Sequence, residues 1–221
     1  MFRQSHVLAM MMGGVLSLGL MGQSAEVFAR DLDCLIEPFV VVTVSSPEIG
    51  LLEEVLVDRG DIVEKGQIVA VLDSSVELAT GSVNHARARL TNDRLADMEL
   101  RKSTAEIARR TIRSPISGVV MERSLSTGEF AKQDPILKIA QLDPLRVEAF
   151  APVSLLGKIV VGAEARVLPQ APVNGSYPAI VTVVDRVIDA ASGTFGVRLE
   201  LPNPNFLLSA GLKCKLRFGK E

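Results

Sequence analysis

Few residues of this chain belong to the types that carry out chemistry. Its two histidines are His6, in an apolar N-terminal stretch, and His85, which stands alone in a polar segment. The two cysteines, Cys34 and Cys214, lie far apart, and no Cys/His cluster has the spacing of metal ligands. Neither a glycine-rich nucleotide loop nor a Gly-x-Ser-x-Gly elbow occurs. The sequence therefore predicts a protein that is not an enzyme and has no catalytic, metal or cofactor site.

Two weaker chemical signals have ordinary structural explanations. Paired methionines can bind copper or silver ions, but five of the seven methionines lie before residue 22, and only Met98 and Met121 remain, on different elements. The carboxylates of residues 53–54 and those of Asp58 and Asp61 fall on predicted strands or turns. We expect these carboxylates to face solvent.

The N-terminus has the pattern of an export signal. Arg3 supplies a short positive region, Val7–Gly22 is an uncharged apolar stretch, and the small residues Ala25 and Ala29 follow it. We expect residues 1–29 to be a signal peptide that directs the chain out of the cytoplasm. The alternative is an uncleaved membrane anchor, although the apolar stretch contains glycines and is short for a span of about 20 residues.

Export bears on the two cysteines, because disulfides form and persist in oxidising compartments. Cys34 lies at the start of the mature chain and Cys214 lies in the predicted last strand. A bond between them would tie the entry of the domain to its exit, and closing a loop of about 180 residues stabilises the folded state by a few kcal/mol in the loop-entropy model. Two separate buried thiols are the alternative, and the sequence does not distinguish the two states.

Composition excludes one class of partner. The 221 residues are 48% hydrophobic and 23% charged, which fits a globular protein of one large or a few small units. The formal net charge is −2 without a long basic run, tryptophan is absent, and Tyr177 is the single tyrosine. We expect no nucleic-acid partner, because neither phosphate-binding charge nor stacking platforms for bases are present.

One segment of the chain occurs twice. Residues 46–71 and 114–139 share one order of apolar residues, glycines and turn residues, and the numbers of equivalent residues differ by 68. Half a domain of this size does not bury its apolar face alone, whereas two halves face to face form a small barrel-sandwich. We expect glycines at turns, because glycine adopts positive φ without steric cost. The predicted turn glycines are Gly50, Gly60, Gly66, Gly118, Gly128, Gly193 and Gly211.

Several stretches make the repeat recognisable: VEKGQIVAVLD (63–73), TIRSPISGVV (111–120), TGEF (127–130), LRVEAFAPVS (145–154) and GTFGVRLELPNPNFLLSAGLKCKLRF (193–218). Their order resembles that of bacterial membrane fusion proteins, the periplasmic adaptor subunits of tripartite efflux pumps and haemolysin-D-like secretion systems, over roughly residues 36–218. The resemblance implies a mainly β fold, in which a lipoyl/biotinyl-like barrel-sandwich is split by an α-helical hairpin and followed by a small antiparallel β-barrel. The implied domains are residues 35–73 with 113–142 (lipoyl-like), 74–112 (hairpin) and 143–219 (β-barrel).

Related domains can carry biotin or lipoate on a lysine at the tip between their halves. In this chain the tip opens into the insert of residues 74–112, and no lysine occupies the turn. Export would also separate the protein from the ligases that attach these groups. We therefore expect no swinging-arm carrier.

The insert has the pattern of two antiparallel helices. Thr91-Asn92-Asp93 predicts a turn, followed by a second helix from Arg94 to about Thr111. Arms of about 15–18 residues reach only about 25 Å, which is shorter than in many members of the family. Coiled-coil spacing predicts the apolar seam. Its residues are Val76, Ala79, Val83, Ala86 and Leu90 on the first helix, and Leu95, Met98, Ala105 and Ile112 on the second.

The resemblance implies that the hairpin tip contacts an outer-membrane channel through an Arg, a Leu and a Ser. Asn92, Arg94 and Leu95 are the candidate contacts in this chain, with Ser103 nearby. Their spacing departs from the family's pattern. Solvated positions on the helix surface are the alternative interpretation.

The C-terminal third alternates in polarity and predicts an antiparallel barrel. Its predicted strands are Leu145–Phe150, Ala165–Leu168, Tyr177–Ile188, Thr194–Leu201 and Leu212–Phe218. Many adaptors continue into a membrane-proximal domain. We expect that domain to be absent here or reduced to a strand from residues 35–40.

The resemblance implies a periplasmic adaptor that links an inner-membrane efflux or secretion transporter to an outer-membrane channel. A transporter of the resistance–nodulation–division (RND) type is the expected partner. The family also implies a ring of identical subunits, often six, held at the inner membrane through the transporter. The competing interpretation is a stand-alone periplasmic binding or regulatory module, which the short hairpin and the missing further domain favour.

Overall fold

The computed structural model describes residues 31–91 and 94–219, so the predicted signal peptide lies outside the described residues. The fold is mainly β, as predicted, and no helix in the described ranges is long and apolar enough to cross a membrane. The strands are β1 Leu32–Ser45, β2 Gly50–Val55, β3 Ile62–Val63, β4 Ile68–Leu72, β5 Thr111–Arg113, β6 Gly118–Arg123, β7 Phe130–Ala131, β8 Pro135–Pro152, β9 Glu164–Pro169, β10 Tyr177–Val184, β11 Thr194–Leu201 and β12 Lys213–Phe218. The helices are α1 Ser75–Thr91 and α2 Arg94–Arg109, and Val153–Leu155 and Pro204–Phe206 form short 3-10 turns.

The two copies of the repeat fold into one barrel-sandwich by pairing with each other. β2 of the first copy pairs with β7 of the second through Gly50 and Ala131, while β3 pairs with β6 through Val63 and Gly118. Adding the repeat offset to Gly50 gives Gly118, and adding it to Val63 gives Ala131, so the register itself repeats. The buried apolar side chains of both copies form a single core. The predicted face-to-face barrel-sandwich is confirmed.

The predicted turn glycines divide into two kinds. Five of the seven have positive φ, and the equivalent residues Gly60 and Gly128 show 97° and 86°. Gly50 and Gly118 instead begin strands β2 and β6, so their assignment to turns is wrong. A Cβ on Gly118 would lie 2.1 Å from the carbonyl oxygen of Ala140. Glycine is needed there because two backbones approach closely.

The second domain is a closed barrel of six strands in the order β1-β12-β9-β10-β11-β8, with β8 pairing back to β1. Ile36 of β1 is fully buried in the barrel core, although residues from 35 onward are predicted to belong to the lipoyl-like domain. The difference arises because β1 and β8 are 14 and 18 residues long and pass through both domains. Their pairing extends from Cys34 opposite Ala149 to Ser45 opposite Pro135.

The hairpin closes on small side chains and not on the apolar residues predicted for its seam. Gly81 of α1 and Ser103 of α2 are buried, whereas Val83 and Leu90 are 58% and 85% exposed. A Cβ on Gly81 would lie only 3.2 Å from Cδ1 of Ile107, so the helices approach most closely at a position that has no side chain. The predicted seam is therefore wrong, because spacing along a helix does not show which face meets a partner.

Other element boundaries also differ from the prediction. α2 ends at Arg109, and Ile112, predicted for the helix face, lies in β5 and is buried in the lipoyl-like core. The helix stops because the carbonyl of Arg110 accepts a hydrogen bond from Leu72 N–H in the adjacent sheet, at 2.8 Å. Similarly, the strand predicted for Tyr177–Ile188 ends at Val184.

Candidate functional site

The residue types that carry out chemistry are scattered over the structure. In the part of the chain that the structure describes, no group of three or more His, Cys, Asp or Glu side chains could hold a metal ion. His85 is exposed on α1, and Met98 and Met121 lie on α2 and β6.

Asp58 and Asp61 lie in the turn between β2 and β3, and Asp58 links the two halves of the barrel-sandwich. Arg123, at the end of β6, donates from Nε to Oδ1 of Asp58 at 3.0 Å. Oδ2 of Asp61 accepts the backbone N–H of Asp58 at 2.8 Å. The hydrogen bond from Arg123, together with that from the backbone N–H of Arg59, holds the pKa of Asp58 below its ordinary value. Both aspartates are exposed.

Arg110 holds the base of the hairpin on the barrel-sandwich. Its guanidinium donates to the carbonyl of Asp73 at 2.8 Å and to the carboxylate of Glu77 in the first turn of α1. The same guanidinium lies over Gly50, where a Cβ would be 2.9 Å from one of its nitrogens. The side chains of Arg110 and Glu77 are each only 21% exposed. One arginine thus joins both ends of the insert to β2.

This base was not predicted from the sequence. The available signal was the pair Arg109 and Arg110 at the C-terminal end of a predicted helix, opposite an acidic residue in the first turn of the preceding helix. Arg109 adds a second and more exposed link, donating to Glu48 at 3.1 Å. Only the folded chain brings Glu48 and Arg109 together, because 61 residues separate them.

Apolar residues that lie outside the contact between the two helices form two exposed flanks on the hairpin. The α1 flank consists of Val76, Val83 and Leu90, and the α2 flank consists of Leu95 and Met98. Each of these side chains is more than half exposed. Residues seven apart on a helix lie on one side of it, so the α1 flank is a continuous stripe. Such a stripe has the form of a coiled-coil contact.

The structure brings together only part of the predicted tip. Asn92 lies outside the described residues, whereas Arg94 and Leu95 begin α2 and are exposed. Ser103 is buried between the helices and lies about 13 Å along the axis from Arg94. A tip contact through Ser103 is therefore not supported by its position.

The two β domains meet where β1 and β8 lose their register. Pro38 lies opposite Leu145 and Val40 lies opposite Gln141, so residues 142–144 of β8 stand against a single residue of β1. Such bulges bend a strand and increase its twist. The two domains are therefore connected by a pair of strands, β1 and β8, whose regular pairing is interrupted between the domains.

Asn203 locks this junction from the barrel side. Its side-chain amide donates to the carbonyls of Leu142 and Leu208, at 2.9 and 3.0 Å, and accepts the N–H of Leu208 at 2.9 Å. Its own backbone N–H donates to Oδ1 of Asp143 at 2.9 Å. The amide is almost completely buried and fully engaged. The loop after β11 is thereby fastened to the irregular part of β8.

An apolar pocket of about 270 Å³ lies beside the junction. Val119 and Met121 of the barrel-sandwich form one wall, and Phe206 and Leu208 of the barrel form the opposite wall. A change in the angle between the domains would open or close this space. The pocket is thus lined by residues of both domains.

The two cysteines face each other across the barrel seam. Cys34 on β1 lies opposite Cys214 on β12, and the structure joins them in a disulfide with their Cα atoms 4.9 Å apart. Both residues belong to the barrel core. The bond ties the first strand of the described chain to its last.

Part of this chain matches a known family, and a known protein is similar over most of this chain's length. Residues 40–141 match the family described as CzcB-like, barrel-sandwich hybrid domain. A protein of Haemophilus influenzae described as uncharacterized is 23% identical over 211 residues, covering 83% of this chain and 55% of its own length. The chain thus spans little more than half of that relative.

Solved structures show the same fold over most of the chain. MacA from Actinobacillus actinomycetemcomitans has a TM-score of 0.67 at 17% identity, covering 86% of this chain and 78% of its own. The membrane fusion protein Spr0693 from Streptococcus pneumoniae has a TM-score of 0.65 at 16% identity, covering 87% of this chain and 100% of its own. ZneB from Cupriavidus metallidurans has a TM-score of 0.55 at 21% identity, covering 86% of this chain and 97% of its own. Residues 40–141 thus match a CzcB-like barrel-sandwich hybrid domain, and with a hairpin inserted into that domain and a barrel beside it, this chain has the fold of solved membrane fusion proteins such as Spr0693.

Proposed function

We propose that this protein is a non-enzymatic periplasmic adaptor of an efflux assembly, which links an inner-membrane transporter of RND type to an outer-membrane channel. The observation that carries the proposal is the hairpin. It projects from the barrel-sandwich, is held at its base by Arg110, and keeps two apolar flanks exposed. Apolar stripes of this kind are typical of surfaces that bind other helices.

The proposal includes a ring of identical subunits. The α1 flank and the α2 flank lie on different helices of one hairpin, so each hairpin can cover a neighbour's α2 flank with its own α1 flank. Contacts between unlike surfaces of identical chains generate closed rings when the rotation between neighbours closes. The irregular pairing of β1 and β8 at Pro38 would then let the barrel and the barrel-sandwich adjust their angle within the ring.

The exposed flanks also argue against the stand-alone module. A module without helical partners would keep Val83, Leu90 and Leu95 in water, where exposed apolar stripes favour aggregation. The hairpin buries small residues such as Gly81, Ala96 and Ser103 and leaves larger apolar residues exposed, unlike a helical hairpin that is stable by itself.

Photo-cross-linking in cells tests the adaptor. A photoreactive amino acid at Leu90 or Leu95 should capture a membrane protein of the assembly or a second copy of this chain. The same amino acid at Leu207, an exposed apolar residue of the barrel, is the matched control. Capture of an inner- or outer-membrane protein from the hairpin positions supports the adaptor. If no membrane protein is captured from any hairpin position, the proposed link between membranes is wrong.

A further inference from the structure

Two loops that carry exposed aliphatic side chains lie at one end of the barrel. The loop of residues 153–163 joins β8 to β9, and the loop of residues 185–193 joins β10 to β11. The two loops are neighbours, because Val153 N–H donates to the carbonyl of Gly193 at 3.0 Å and Pro152 lies opposite Thr194. We call these two loops the barrel end.

The barrel end is rich in exposed aliphatic residues. Val187 is 82% exposed, and Val160 and Val161, which are adjacent in one turn, are 55% and 64% exposed. Single exposed aliphatic residues are common on protein surfaces, whereas a group at neighbouring loop tips marks a contact surface. The exposed residues of the group are Val153, Leu156, Val160, Val161, Val187 and Ile188.

The barrel end carries both basic and acidic residues. Lys158 and Arg186 stand in the sequence beside the exposed aliphatic residues. Asp189 accepts hydrogen bonds from Ala191 N–H and the Ser192 hydroxyl, at 3.0 and 2.7 Å within its own loop. The carboxylate of Asp185 is packed over Gly196, and Glu164 follows the first loop at the start of β9. The acidic groups of the second loop thus make contacts within the fold. The basic residues Lys158 and Arg186 stand next to the apolar loop tips in the sequence.

The chain outside the structure joins the fold at this same end. Asp31 precedes β1 and is held by Arg217 of β12 through two hydrogen bonds of 2.8 and 2.9 Å. By the strand register, Leu32 lies level with Ala151, next to Pro152. Residues 1–30 contain the uncharged apolar stretch Val7–Gly22, which lies only a few residues before Asp31. An apolar stretch of this kind meets a bilayer during export or as an anchor, and the chain that follows it enters the described fold at the barrel end.

From these observations we propose that the barrel end rests on a phospholipid bilayer. The aliphatic loop tips enter the interfacial region, while Lys158 and Arg186 meet lipid phosphates. Because β1 runs from this end to Ser45, close to the Glu48–Arg109 contact at the hairpin base, the hairpin then points away from the bilayer. The inference goes beyond the adaptor proposal, because it concerns lipid and requires no transporter.

The absence of tryptophan from the chain makes a direct test available. Val160→Trp and Val187→Trp, each introduced singly into the full chain, place one fluorophore at each loop tip. The variants are mixed with vesicles of phosphatidylethanolamine and phosphatidylglycerol that contain brominated acyl chains. We expect a blue-shifted emission and quenching of about twofold or more at both positions, because brominated chains quench only fluorophores that reach the bilayer interface.

Leu207→Trp and Ile62→Trp are the matched controls, since these residues are 70% and 61% exposed but lie away from the barrel end. They should remain unquenched even if residues 1–30 hold the chain on the vesicle. Thermal unfolding of all four variants checks that each is folded. The proposal is overturned if tryptophan at 160 and 187 stays unquenched, which is also the result expected if a protein covers this end, or if the controls are quenched equally.

Discussion

Gly118 of β6 lies against the backbone of Ala140 in β8, so that a Cβ on Gly118 would be 2.1 Å from the Ala140 carbonyl oxygen. The glycine at the equivalent position of the first repeat, Gly50, is instead covered by the guanidinium of Arg110. One glycine recurs in the repeat, but two different neighbours require it. Gly118, in the second copy of the repeat, lets β6 pack against the long strand β8. Gly50, in the first copy, leaves room for the arginine that holds the hairpin base.

Gly118→Ala should lower the free energy of unfolding by about 1–3 kcal/mol, because the added methyl group forces β6 and β8 apart. Urea unfolding of the purified protein measures the change. Gly60→Ala is the control for loss of a glycine, since no atom lies within 4 Å of its Cβ position and only its positive φ opposes the change. A Gly118→Ala variant as stable as the parent would contradict the close backbone contact.

Gly60→Val and Gly128→Val should each lower the melting temperature, because a β-branched residue at φ near 90° is strained by about 1–3 kcal/mol. The two effects should be similar, since the positions are equivalent in the repeat. Lys132→Val, on an exposed loop position, controls for the added apolar surface. Unchanged melting temperatures in both glycine variants would argue against the assigned turns.

Arg110→Ala should destabilise the protein by about 2 kcal/mol, because it removes charge-assisted hydrogen bonds in a largely buried position and leaves Glu77 without this partner. Chemical denaturation measures the loss. Arg101→Ala serves as the control, because its side chain is 81% exposed and its ion pair with Asp97 contributes at most about 0.5 kcal/mol. Equal effects of the two substitutions would show that Arg110 does not hold the hairpin base.

Replacing both Cys34 and Cys214 by alanine should lower the free energy of unfolding by about 2–5 kcal/mol, because the disulfide restricts a long loop in the unfolded chain. Mass spectrometry of protein purified without reductant should find both cysteines protected from alkylation until they are reduced. Two freely alkylatable thiols would exclude the bond and leave the alternative of separate thiols.

Asp58→Asn should weaken the protein near neutral pH more than in acid. The pKa of Asp58 is lowered in the folded state, so its carboxylate contributes stability that is present above the unfolded pKa of about 4 and is lost as pH falls through the lower folded pKa. The difference in melting temperature between the parent and Asp58→Asn should therefore shrink as pH falls from about 6 toward 2. A difference that stays constant with pH would rule out the pairing with Arg123.

Much of the fold was predictable because it depends on local pattern. The repeat offset of 68 reappears in the strand pairings, Gly60 and Gly128 occupy equivalent turns, and the helical insert begins within one residue of its predicted start. Turn chemistry and alternation of polarity act over a few residues, so the order of residues is sufficient to reveal them.

The hairpin seam was not predictable from spacing. Val83 and Leu90 have coiled-coil spacing, yet Gly81 and Ser103 lie in the contact between the helices. The base of the hairpin at Arg110 was also not predictable from the sequence, since Glu77 and Arg110 meet only when both ends of the insert return to β2.

The sequence by itself determined that two half-domains pair, that helices divide them and that a barrel follows, because each of these depends on periodicity and turns along the chain. The tertiary structure alone decided which helix faces meet, that β1 crosses into the barrel, and why Gly118 has no side chain. These features depend on distances between residues far apart in sequence, and packing sets those distances only when the whole chain has folded.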